Sequence, residues 1–190
     1  MGAAAETGGT TLTPSSGERP LPVRRVLALA LLTAMALALA AAESLLPLFI
    51  PFPGVKLGLP NIVALAAFAL VPRKQVFLIV AMRLALAGLV LGTFLTPAFW
   101  ISCGGGLLSF LAMAALSGSG AVSVVGVSLA GAAAHNAGQL LVVALLLGSG
   151  GMAYYLPWLL LWSVPTGFFT GFSAQVAISA LRKTGISGKL

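Results

Sequence analysis

The chain has 190 residues, of which 59% are hydrophobic and only 7% are charged. A soluble domain carries about a quarter of charged residues, so this composition excludes a water-soluble globular protein and predicts an all-α integral membrane protein. The net charge of +7 does not indicate a nucleic-acid partner, because the cationic residues are scattered at the ends of apolar runs, and the single cysteine excludes both an internal disulfide and a cysteine-cluster metal site.

The composition along the chain predicts an N-terminal tail, a membrane domain and a C-terminal tail. Residues 1–22 are rich in Gly, Thr, Ser and Pro, which is typical of a disordered segment. Residues 23–182 form the predicted six-helix membrane domain, and residues 183–190 form a cytoplasmic C-terminal tail. The breaks between helices are dominated by Pro and Gly. The six apolar segments are 26–46, 59–71, 76–95, 100–117, 121–147 and 156–181.

The distribution of Lys and Arg predicts the orientation. With the N-terminus in the cytoplasm, eight cationic residues lie inside and only Lys56 lies in an outer loop. This positive-inside bias places both termini in the cytoplasm. The alternative is that segment one is a signal peptide, since arginines precede an apolar run that ends in 40-AAA-42. The apolar stretch continues through Phe49, which favours a retained helix.

Two charged side chains, Glu43 and Arg83, lie within apolar segments. A charge at the bilayer centre costs at least about 2.5–3.5 kcal/mol, so such residues persist when they face a cavity or pair with each other. Arg83 has one further alternative, which is to extend its side chain to the cytoplasmic headgroups. We expect both residues to bind substrate.

The fifth segment carries His135, Asn136 and Gln139 inside an apolar run. His135 and Gln139 are four residues apart and share a helix face with Gly131, whereas Asn136 points about 100° away, toward a neighbouring helix or the edge of a cavity. Each of these residues, taken alone, could simply form a hydrogen bond between two helices. Together they predict a polar substrate cavity.

The start of the second segment holds Lys56 and Asn61 on either side of the helix N-terminus, with Pro60 in its first turn. A cation beside a helix N-terminus favours an anionic ligand group. The alternative is that Lys56 is a solvated loop residue and Asn61 a helix cap.

The first segment repeats alanine every four residues, at Ala30, Ala34, Ala38 and Ala42. Stripes of small residues let membrane helices approach closely, either within one protein or against a partner.

Three stretches resemble one family: residues 53–63 (PGVKLGLPNIV), 104–113 (GGGLLSFLAM) and 131–140 (GAAAHNAGQL). They are similar to the Gx transporter family, which is also labelled heptaprenyl diphosphate synthase component I and is similar to S components of energy-coupling factor transporters. The resemblance implies a six-helix bundle with an outward-opening cavity for a small-molecule substrate. It also implies that Ala30, Ala34 and Ala38 dock a transmembrane coupling protein served by two ATPases.

The chain lacks the motifs that a prenyl diphosphate synthase or an ATPase would need. It has no aspartate, whereas prenyl diphosphate synthases hold magnesium with aspartate-rich motifs, and it has no nucleotide-binding GxxxxGK[ST] motif. We therefore expect no catalysis and no cofactor. The leading interpretation is a substrate-binding component of an ATP-driven uptake system. The alternatives are a non-transporting accessory subunit of isoprenoid or quinone synthesis, and a proton-coupled carrier in which Glu43 and His135 titrate.

Overall fold

The computed structural model describes residues 23–45, 58–118 and 120–183, and this part of the chain is helical without a β-strand. A short 3₁₀ helix, Gly150–Tyr155, leads directly into the last α-helix. The six α-helices are α1 Val23–Leu45, α2 Leu59–Leu70, α3 Arg73–Val90, α4 Pro97–Leu116, α5 Val124–Leu147 and α6 Leu156–Lys183.

Each predicted apolar segment corresponds to one α-helix, but α3 and α4 both start earlier than predicted. Residues 72–75 and 96–99 were expected to be breaks, yet α3 begins at Arg73 and α4 at Pro97. Proline lacks the N–H that a first helical turn does not use, and its fixed φ suits that turn. Pro72 is the residue before α3 and Pro97 opens α4, so these prolines mark helix starts.

The end of α3 is also earlier than predicted. The helix stops at Val90, and Gly92 and Leu95 adopt positive φ values of 66° and 61°. A left-handed residue cannot continue a right-handed helix, so the turn before α4 begins within the apolar run. Hydrophobicity alone does not reveal this stop.

Among the described residues, four helical spans are long and apolar enough to cross a membrane: Arg25–Leu45, Pro97–Leu116, Val124–Leu147 and Gly150–Lys183. The remaining two helices are α2, which has 12 residues, and α3, which has 18. Many large apolar side chains on these helices are exposed, as on Leu111, Leu145 and Phe168. The chain is therefore a multi-pass membrane protein.

Glycines set the closest helix packing. Gly138 of α5 lies against the backbone of Gly104 in α4, and a Cβ atom built on Gly171 of α6 would lie 2.8 Å from Cα of Val125 in α5. Helices α4, α5 and α6 consequently form one tightly packed group, with α5 in the middle. Helix α1 packs on the other side, against α2 and α3.

Candidate functional site

Glu43 lies in the last turn of α1 and is buried, with 7% of its surface exposed. Its Oε1 atom accepts a hydrogen bond of 2.7 Å from the backbone N–H of Gly58. Gly58 is the residue that caps the N-terminus of α2, in a left-handed conformation with φ 73°. A glutamate three residues into a helix often makes the same bond to its own cap residue. Here the carboxylate comes from another helix and ties α1 to α2.

Arg83 lies in the middle of α3 and is equally buried, with 7% exposed. Its guanidinium interacts electrostatically with Glu43. Because Arg83 is buried, its guanidinium does not extend to the headgroups, and the interaction with Glu43 favours the pairing that the sequence left open. Because the two charges compensate each other, the carboxylate and guanidinium together add no net charge to the helix bundle.

Asn61 lies in the first turn of α2, after Pro60, as predicted. The cap residue, Gly58, has no side chain, so Asn61 is not the helix cap. A Cβ atom on Gly58 would lie 3.1 Å from Nδ2 of Asn61, which places the amide directly beside the cap and close to the carboxylate of Glu43 bound there. Lys56, the other residue predicted at this end, lies outside the described residues.

His135 and Gln139 share one face of α5 and pack against Gly105 of α4. A Cβ atom built on Gly105 would lie 2.6 Å from Cγ of Gln139 and 2.9 Å from Cε1 of His135. Only glycine leaves room for both side chains at this position. Gln139 is buried and His135 half-buried. The shared face expected from their four-residue spacing is thus present, and it meets α4.

Asn136 points away from this face, toward α6. Its side-chain Nδ2 donates a hydrogen bond of 2.9 Å to the backbone carbonyl oxygen of Leu159. The residue is buried, and a second polar link, a 2.8 Å hydrogen bond between the hydroxyls of Ser128 and Thr170, joins the same two helices. Of the two orientations that the sequence allowed for Asn136, the structure has the one toward a neighbouring helix.

Ser109 was missed by the sequence reasoning. It lies on α4 one turn after Gly105, and only 1% of its surface is exposed. Its Oγ atom would lie 3.4 Å from a Cβ atom on Gly131 of α5. The signal was present in the sequence, because Ser109 is the polar residue of the quoted 104–113 stretch and stands four residues from Gly105. We call the contact formed by Gly105, Ser109, Gly131, His135 and Gln139 the α4–α5 seam.

The alanine stripe of α1 faces away from the other described helices. Ala30, Ala34, Ala38 and Ala42 are all exposed. The buried side of α1 is instead formed by Leu29, Thr33, Ala36 and Glu43. Packing of the stripe within the described bundle, one of the two roles the sequence allowed, is therefore excluded.

An apolar groove of about 220 Å³ lies between α3 and α4. Phe77, Leu84, Cys103 and Phe110 are among its lining residues, and no predicted site residue within the described ranges lines it. The structure thus brings together Glu43 with Arg83 and the start of α2, and His135 with Gln139 and α4.

The family of the chain follows from comparison with known proteins. A model of the family described as heptaprenyl diphosphate synthase component I matches residues 32–177, which is most of the membrane domain. The chain belongs to this family. No curated protein and no solved structure matches the chain.

Membership in the heptaprenyl diphosphate synthase component I family confirms one of the labels that the three quoted stretches suggested. The matched range contains Glu43, Arg83 and the whole α4–α5 seam. The likeness to S components of energy-coupling factor transporters is not addressed by this match and stays a prediction.

Proposed function

We propose that this protein is the substrate-binding membrane component of an ATP-driven uptake system for a small molecule. In this proposal a transmembrane coupling protein binds α1, and partner ATPases supply the energy. The supporting observation is the exposure of Ala30, Ala34 and Ala38 on one side of α1.

An exposed alanine stripe on a membrane helix favours the docking of a second helix. A helix facing only lipid gains nothing from small side chains at every fourth position, whereas a second helix can approach closely there and gain van der Waals contacts. The opposite side of α1 is already committed to the bundle through Leu29, Thr33 and Glu43. The stripe is thus left as a surface for another protein.

The substrate, in this proposal, binds at the polar groups that the bundle buries. His135 and Gln139 offer neutral hydrogen-bonding groups, and Asn61, Glu43 and Arg83 lie around the start of α2. We include Lys56 on the sequence argument alone, as a cation near the same helix end. Asn136 supports the site indirectly, because its hydrogen bond to Leu159 holds α5 against α6.

We further propose that all six helices lie in the cell membrane and that both termini are cytoplasmic. The asymmetry of Lys and Arg supports this orientation. Helix α2 is about 18 Å long at 1.5 Å per residue, shorter than the hydrocarbon core of about 30 Å. It would therefore lie in the membrane without spanning the hydrocarbon core by itself.

A second candidate function is that of an accessory membrane subunit in heptaprenyl diphosphate synthesis. The family description favours it, because the words "component I" imply a partner subunit. The absence of aspartate from the chain assigns the magnesium-dependent chemistry to that partner. In both candidate functions, this chain is a non-catalytic membrane component that acts together with another protein.

The two candidates are separated by the identity of the partner. We would purify the wild type, Ala34→Leu and the control Ala115→Leu in mild detergent and identify bound proteins by mass spectrometry. Ala115 is an exposed alanine of α4, so its variant adds the same bulk elsewhere.

The uptake proposal predicts that a membrane coupling protein with ATPases accompanies the wild type and Ala115→Leu but is lost from Ala34→Leu, because bulk separates close-packed helices. A prenyl diphosphate synthase subunit in place of ATPases would support the second candidate. If Ala34→Leu retained the same partners, the alanine stripe would not be the docking surface.

A further inference from the structure

Ser109 differs from the other buried hydroxyl residues of this membrane domain. Its Oγ atom is fully buried and makes no hydrogen bond to any part of the chain that the structure describes. Thr33 donates to the carbonyl of Leu29 at 2.8 Å, and Thr170 donates to the carbonyl of Thr166 at 3.0 Å. Serine and threonine in helices commonly satisfy themselves in this way. Ser109 makes no hydrogen bond of this kind to a carbonyl group of its own helix.

The direction of the hydroxyl explains the difference. Ser109 lies on the side of α4 that meets α5, where its Oγ atom faces Gly131. One helical turn away on the same side of α4, Gly105 packs against the side chains of His135 and Gln139. The hydroxyl therefore points into the α4–α5 seam, next to the two residues already assigned to the substrate site. A buried hydroxyl without a partner costs free energy, and buried polar groups in native proteins are nearly always satisfied by protein, water or ligand.

The charges of the bundle restrict what the seam can accept. Ser109 and Gln139 are uncharged, His135 is the seam residue that can take up a proton, and the two buried charges of the described residues, Glu43 and Arg83, interact with each other. A charged group in the seam would lose its hydration with no permanent countercharge at hand. An uncharged molecule with hydrogen-bonding groups would not meet this penalty.

We propose that Ser109 is a further substrate-contacting residue and that the α4–α5 seam opens to admit an uncharged part of the substrate, one that carries hydrogen-bond donors and acceptors. This inference rests on the proposed substrate-binding function. It adds Ser109 of α4 to the site formed by His135 and Gln139 of α5, and it names the class of chemical group bound in the seam.

The first test measures whether small reagents reach the seam. Ser109→Cys and the control Ser128→Cys are made in a Cys103→Ala background and treated with methyl methanethiosulfonate, a small uncharged thiol reagent. Ser128 is a matched control, because it is also buried in a helix interface but its hydroxyl is paired with that of Thr170.

We expect Ser109→Cys to be labelled at least about ten times faster than Ser128→Cys, as followed by intact-protein mass spectrometry. We also expect the negatively charged sulfonatoethyl reagent to label Ser109→Cys much more slowly than the uncharged one. Equal labelling of the two cysteines by the uncharged reagent would overturn the opening of the seam. Equal labelling of Ser109→Cys by both reagents would overturn the uncharged class.

The second test uses Ser109→Ala, which removes one oxygen atom and is the variant least able to disturb folding. In a sealed, dry seam the hydroxyl is a pure desolvation cost, so its removal raises the melting temperature. In a seam that opens to water or substrate the hydroxyl is solvated, and the melting temperature stays the same or falls. An increase would overturn the proposal even if Ser109→Cys failed to fold. Neither test involves partner proteins, so a sealed seam would leave the α1 docking experiment unaffected.

Discussion

The interaction between Glu43 and Arg83 should dominate the stability of the α1–α3 half of the bundle. Arg83→Met keeps most of the apolar stem volume but removes the charge, so it leaves the Glu43 carboxylate buried with the Gly58 N–H as its hydrogen-bond donor. Breaking a buried ion pair costs about 3–5 kcal/mol, and we expect about 2–4 kcal/mol here because that donor remains to stabilise the carboxylate. For a chain of this size the loss lowers the melting temperature by roughly 4–16 °C.

The double variant Glu43→Gln/Arg83→Met tests the physical reason. Glutamine can still accept the hydrogen bond from Gly58, and no unpaired charge remains buried. We therefore expect the double variant to recover at least half of the stability lost in Arg83→Met, measured by thermal unfolding in one detergent. Lys74→Met, an exposed cation of the same helix, should stay within about 0.5 kcal/mol of the wild type. Additive losses in the double variant would refute the pairing.

Three further predictions concern packing and topology. Gly105→Ala should lower the melting temperature by several degrees, because the added Cβ overlaps side chains of α5 and overpacking costs about 1–3 kcal/mol. Asn136→Ala should cost about 1 kcal/mol by removing the hydrogen bond to Leu159, and should reduce the amount of copurifying small molecule in native mass spectrometry less than His135→Ala does. A cysteine placed at Gly150 should react with an impermeant thiol reagent added outside cells, whereas one at Ala121 should react only after permeabilisation, and the reverse pattern would contradict the orientation.

The helices were predictable from the sequence because apolar length and proline position are local properties. Six segments were expected, and six α-helices lie at those places in the described residues. The errors fell at the ends, where backbone conformation decides. The positive φ of Leu95 is not encoded in hydrophobicity, and the start of α3 at Arg73 is marked by Pro72 rather than by the apolar pattern.

The site was predictable only in part, because residue type shows that a polar group needs a partner but not which one. From the sequence, Arg83 could pair with Glu43, face a cavity or extend to the headgroups. Its interaction with Glu43 is seen only in the fold. The four-residue spacing of His135 and Gln139 predicted their shared face, yet its position against Gly105 depends on the pairing of α4 with α5. Ser109 was missed because a single serine in an apolar helix usually bonds its own backbone.

The central claim is that His135 and Gln139 bind a small molecule between the helices, and one paired measurement tests it. Native mass spectrometry and thermal unfolding would be run on the same preparations of wild type, His135→Ala and Gln139→Ala. Loss of one hydrogen-bonding group from a buried site costs about 1–3 kcal/mol, which weakens binding roughly ten- to hundred-fold. We expect both variants to lose the copurifying small molecule while their melting temperatures stay close to that of the wild type. Variants that melt at clearly lower temperature but retain the small molecule would show that these residues only hold α4 and α5 together.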